Sequence, residues 1–95
     1  MDQVTFHACD WAGPEQVYGD LLDWLGAPAW HGRNLDALWD GLTGGLHRRG
    51  PPYAIRVTGI SAATPQVAAL LADMVRLFDA ARADHGLEIA LILQD

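Results

Sequence analysis

The chain has 95 residues, 51% of them apolar, with 12 acids against 6 arginines, no lysine and a formal net charge of −6. That length fits one small domain over residues 1–95, with a core of its own and no room for a second. The charge excludes a basic nucleic-acid-binding surface, which needs clustered Lys and Arg, and fits either a basic partner or plain solubility.

The first segment, "QVTFHA", alternates, with Val4 and Phe6 on one side and Thr5 and His7 on the other, and reads as a strand with one wetter face. The opening "MDQVTFHACDW" has neither the basic region nor the apolar run of a signal peptide, and no stretch reaches membrane-spanning length, so a cytoplasmic location is expected. The single cysteine, Cys9, excludes an internal disulfide and is compatible with a reducing compartment.

In "WAGPEQVYGDLLDWLGAP", Pro14 suits the first turn of a helix, and Val17, Tyr18, Leu21, Trp24 and Leu25 recur at helical spacing. Gly19 is a weak point inside it, and Gly26 and Pro28 stop it. "NLDALWDGL" is a second helix whose Leu35, Leu38, Trp39 and Leu42 face the core. Gly44, Gly45 and the loop "HRRGPP" end it. "YAIRVTG" alternates again as a strand, and "ISAAT" is compatible with a short helical turn. Thr64 and Pro65 cap and start a long helix with the stripe Val67, Leu70, Leu71, Met74, Val75 and Phe78, closed by Gly86. "EIALILQ" is nearly continuous in apolar residues and reads as a strand covered on both faces. The order β-α-α-β-turn-α-β predicts an α/β domain: a small three-stranded parallel sheet with helices packed on it.

The second helix carries the unusual chemistry. Asp36, Asp40 and Thr43 fall together beside its apolar stripe. Asp36 lies in the first turn, where the helix dipole favours a carboxylate, but Asp40 lies toward the unfavourable end. A like-charged pair at i, i+4 costs about 0.2–0.5 kcal/mol, and Gly41 costs about 0.8–1 kcal/mol relative to alanine inside a helix. Local choices that oppose stability tend to mark functional surface. Gly41 has a use if another group must come close. In the loop ahead, Trp30, His31 and Gly32 lead to Asn34, a cap residue. An exposed Trp30 beside two carboxylates would make a binding anchor. Between residues 10 and 40 six acids face Arg33 alone, leaving −5 of the chain's −6.

The run "WHGRNLDALWDGLTG" resembles the signature of the barstar family, intracellular inhibitors of secreted ribonucleases. Over the nine positions Asn34 to Leu42 only Gly41 differs, standing where the family pattern has a cysteine. The remainder of the chain is similar in element order and length, and weakly so around "VRLFDAARADHG" and "IALIL". The resemblance implies a protein that is not an enzyme, needs no cofactor, contacts neither nucleic acid nor membrane and is a monomer when free. It would form a one-to-one complex with a small extracellular-type, guanyl-preferring microbial ribonuclease. The second helix and its preceding loop would plug the active site, with carboxylates in the place of RNA phosphates. Asp40 would be the central contact, Asp36 the second acid, and Trp30 the counterpart of an interface tyrosine. His31, Gly32, Asn34, Leu35, Trp39, Thr43 and Gly44 would border the contact. The rim departs from the family pattern. Arg33 replaces an acid, His31 an aromatic residue, Gly45 a tryptophan and Ala80 an acid on the last helix, with Asp79 next to it but turned about 100° around that helix.

Other readings of the same residues are plain. The two aspartates could be a solvated face, Trp30 could pack under its loop, and Trp11 and Trp24 read as packing residues. Trp39 reads as core or half-buried, and His7, His47 and His85 as surface. His31, Asp36 and Asp40 could ligate a metal or serve acid–base chemistry, though no metal or nucleophile signature accompanies them. A barstar-like binding module for a different basic protein is the alternative function.

Overall fold

The computed structural model describes residues 1–95. Strand β1 (Asp2–His7) is followed by helices α1 (Pro14–Leu25) and α2 (Leu35–Gly44), then β2 (Tyr53–Thr58), α3 (Pro65–His85) and β3 (Ile89–Leu93). Single 3-10 turns lie at Ala8–Asp10 and Ile60–Ala62, the latter where the ambiguous "ISAAT" stands. The three strands form one parallel sheet in the order β1-β2-β3, with Val4 opposite Ile55 and Ile55 opposite Leu91. This is the expected α/β architecture.

Local chemistry sets the helix ends. Asn34 caps α2 by accepting a hydrogen bond from the Ala37 N–H at 2.8 Å, and Thr64 caps α3 by accepting one from Val67 at 3.2 Å. Pro14 and Pro65 open α1 and α3. At the start of α1, Gln16 accepts a hydrogen bond from the Gly13 N–H at 3.0 Å. Helix α2 ends on Gly45 at φ 71°, the left-handed conformation that favours glycine over any larger residue.

The core lies between the sheet and the helices. Phe78, Leu71, Met74 and Val67 of α3 meet Leu25 and Val17 of α1, Leu38 of α2, and Ile55 and Val57 of β2. Burying each large apolar side chain contributes about 1.5–3 kcal/mol. Leu70 and Val75 lie half-buried at the edge of the α3 stripe, and Ala81, outside the expected stripe, is fully buried.

Strand β3 differs from expectation. Ile89 and Leu91 are buried, Ala90 is half-buried and Ile92 is exposed. In register with Ile92 stands exposed Arg56, and beside it exposed Thr5. One face of the sheet takes the helices and the other meets solvent. An apolar run does not by itself reveal that one of its faces has no helix to cover it.

Candidate functional site

Trp30 sits at the tip of a turn closed by the His31 N–H donating to the Pro28 carbonyl at 2.9 Å. It is 74% exposed, the most open aromatic side chain of the protein. Packing alone would not leave so large an apolar ring in water, so the reading of Trp30 as a ring buried under its loop falls away. Two residues on, Gly32 abuts α2: a Cβ there would lie 3.1 Å from the Ala37 Cβ. Asn34 then starts the helix.

Along α2, Asp36 and Asp40 are exposed one turn apart, and neither takes part in an ion pair or a side-chain hydrogen bond. Most of the other acids are engaged. Asp2, Glu15, Asp73 and Asp79 pair with arginines, and Asp20 accepts a 2.8 Å hydrogen bond from the Trp11 indole. Asp36 and Asp40 are thus free charges on a well-capped helix. Beside them, Leu35, Trp39 and Thr43 are half-buried. Trp39 packs edge-on to exposed His85 at 5.5 Å, and the Thr43 hydroxyl donates to the Trp39 carbonyl at 2.8 Å. Leu35 and Trp39 therefore straddle core and surface: each packs its apolar side against the core and keeps an edge at the candidate contact face. Gly44 is open.

Two rim residues are satisfied internally. The Arg33 guanidinium lies against α1, 2.8 Å from a Glu15 carboxylate oxygen and 3.3 Å from the Glu15 carbonyl. Its charge is matched there and does not point freely at a partner. Asp79 is held by Arg82 at 2.6 Å, and Ala80 offers no charge of its own.

The histidines depart from the sequence reading. His31, expected on the contact rim, is only 8% exposed and is the one buried polar residue. His47, expected at the surface with its charged neighbours, is half-buried, and its Nδ1 has no protein partner. Their Nε2 atoms lie 3.1 Å apart. His31 Nδ1 lies 2.7 Å from the Gly32 carbonyl oxygen, which can only accept. His31 therefore carries its proton on Nδ1, and its bare Nε2 accepts from the Nε2–H of His47. Desolvation, and after it the neighbouring His31, lower the His47 pKa from 6.5 to about 4.

The pair occupies the space that Gly41 leaves. A Cβ on Gly41 would lie 2.3 Å from His47 Nε2 and 2.7 Å from His31 Nε2. The cost of this glycine to the helix is the cost of admitting two rings. The sequence signalled that something comes close to Gly41; it did not signal what. Both His31 nitrogens are engaged, by Gly32 and His47, and no three His, Cys, Asp or Glu side chains gather in metal-binding geometry.

Comparison with known proteins adds two findings. The model of a family described as Barstar (barnase inhibitor) matches residues 1–94. The Bacillus subtilis (strain 168) protein named "Putative ribonuclease inhibitor YrdF" is 46% identical over 44 residues, which are 46% of this chain and 48% of that protein. The chain thus spans about half the length of the curated relative it matches.

Proposed function

The chain belongs to the Barstar family, whose members are inhibitors and not enzymes, and on that premise we propose that it binds and blocks a small extracellular-type, guanyl-preferring microbial ribonuclease one-to-one. The observation that carries this reading is the pair of unpaired carboxylates, Asp36 and Asp40, beside the exposed Trp30. An enzyme that cleaves RNA must present cationic groups where phosphates bind. Two fixed carboxylates one helical turn apart offer those groups anionic partners without a scissile bond. Asp40 is the central contact and Asp36 the second. Trp30 supplies apolar area at the edge, and Gly32, Asn34, Leu35, Trp39, Thr43 and Gly44 frame them. No helix is long and apolar enough to cross a membrane.

The net charge of −6 draws a basic enzyme toward this face, so association is electrostatically steered and slows as salt screens it. The altered rim, with Arg33 folded back on Glu15 and Ala80 uncharged, fits a target related to but not identical with the one the family description names.

Competition tests the mode of binding. A guanosine monophosphate that occupies the ribonuclease active site should raise the apparent dissociation constant of the inhibitor by the factor one plus nucleotide concentration over its own dissociation constant. Simultaneous binding of both would place the contact away from the active site.

A further inference from the structure

The His31–His47 pair does more than fill the notch at Gly41. The two residues flank α2 in sequence, His31 in the loop that enters it and His47 in the loop that leaves it, and their rings meet over Gly41. The His47 backbone is anchored on both sides: Leu46 N–H donates to the Gly41 carbonyl at 3.1 Å and Arg48 N–H to the Gly26 carbonyl at 3.2 Å. Arg49 N–H adds a bond to the Leu25 carbonyl at 2.9 Å. His31, in contrast, is the closing residue of the turn that displays Trp30. A fixed ring therefore meets a ring on a short loop. We propose that His47 is a positioning residue for the contact loop: through its Nε2–H bond to His31 it holds the Trp30 turn in the binding arrangement, and this latch opens when the pair takes up a proton.

The proton inventory shows why. A proton on His31 Nε2 would set two N–H groups against each other across 3.1 Å. A proton on His47 Nδ1 would create a buried donor with no acceptor. Neither ring has a carboxylate partner to hold the charge, since none of the four ion pairs involves a histidine. The small cavity of about 40 Å³ beside His47 is lined by two further titratable groups, Arg49 and Tyr53. Arg49 donates to Asp2 and to the Trp24 carbonyl, and burial pushes the Tyr53 hydroxyl further from ionisation. Asp40, next to Gly41 on α2, is exposed and points its charge to solvent. The lowered pKa of His47 agrees with this arrangement. The latched form binds fewer protons than the open form, so acid opens it.

The consequence for binding rests on Trp30 being a contact residue, whereas the latch itself can be read without a partner. Imidazole nitrogen spectra of the full chain should show His31 protonated on Nδ1 and His47 on Nε2 at pH 7.5, with His47 still neutral at pH 5.5, where a free imidazole is mostly charged. The opposite tautomers at pH 7.5, or a charged His47 at pH 5.5, overturn the latch. Amide exchange of His31, which reports the Trp30 turn, should be about tenfold faster in His47→Leu, which has no donor, at neutral pH, with α3 unchanged. Equal His31 protection in the two proteins overturns the positioning role, as does a loss of protection spread over α3.

The affinity arm uses a ribonuclease that the wild type inhibits. His47→Leu should bind it about tenfold more weakly at pH 7.5, following the reduced fraction of competent loop, and the ratio should approach one near pH 4.5. Taking the ratio cancels the titration of the enzyme itself. A ratio independent of pH assigns His47 a packing role only. If no ribonuclease binds the wild type, the proposed function fails, and the spectra and exchange still decide the latch.

Discussion

The Arg33 guanidinium bonds the Glu15 carboxylate at 2.8 Å, tying the loop ahead of α2 to the first turn of α1. Arg33 is the only base among the six acids of residues 10–40, and this pair cancels one of them locally. Arg33→Glu removes the cation, frees Glu15 and changes the face by two units of charge. Association with a basic ribonuclease should become several-fold faster at low salt, by the steering argument, and the gain should vanish as salt rises. An exposed pair of this kind contributes about 0–1 kcal/mol, so the melting temperature should barely move. A slower on-rate in stopped-flow would mean that the partner is not basic at this rim.

Asp40→Ala should separate binding from folding. Removing one member of a charge pair buried on complex formation costs about 3–5 kcal/mol of affinity, because the partner cation stays desolvated and unmatched. Folding stability should hold or rise slightly, since a like-charged i, i+4 neighbour of Asp36 disappears. A fall of many degrees in melting temperature would assign Asp40 a structural role.

Trp30→Ala should behave in the same direction with a different physical cause. A ring 74% exposed contributes little to the fold, so stability should change by less than about 0.5 kcal/mol. Affinity should fall by more than about 1 kcal/mol if the ring is a buried anchor in the complex. Unchanged affinity, read by calorimetry, removes Trp30 from the contact.

Much of this fold was legible because its signals are local. Asn34, Thr64–Pro65 and the glycines after each helix act on their own segment, and the structure uses them as read. Strand β3 was misread for a nonlocal reason. Its apolar run says that burial is tolerated, while the number of helices on each face decides whether it happens. His47 was misread because the charged neighbours in "HRRG" suggested a solvated loop, yet backbone bonds to Gly26 and Leu25 on α1 turn that loop inward. At the candidate site the carboxylates and Trp30 could be found in one run of sequence, but the His31–His47 contact joins positions 16 apart and leaves no periodic trace. Its only sequence signal was the otherwise costly Gly41.

Gly41→Ala tests that signal. The added methyl would gain about 1 kcal/mol of helix propensity but would stand 2.3 Å from His47 Nε2. Overpacking of this kind costs about 1–3 kcal/mol, so the net effect should be a loss of stability of up to about 2 kcal/mol. Denaturant melts should show a lowered midpoint with an unchanged slope. A stabilised protein would mean that the two rings swing aside at little cost.

The pH dependence of stability follows from the same pair. The folded state lowers the His47 pKa from 6.5 to about 4, so between those values the unfolded chain binds more protons. Stability from this group is therefore complete above pH 6.5 and declines as pH falls toward 4. Urea midpoints taken across that window should fall more steeply for the wild type than for His47→Gln. Parallel curves would mean that His47 titrates alike in both states.

The most direct test is a titration of the protein into small secreted microbial ribonucleases, following RNA cleavage in the presence of EDTA, with Asp40→Ala alongside. For at least one enzyme, activity should fall linearly to near zero at one equivalent of the wild type, with no comparable loss for the variant. Full activity across the panel, or equal inhibition by wild type and Asp40→Ala, would contradict an inhibitor that works through the acidic face of α2.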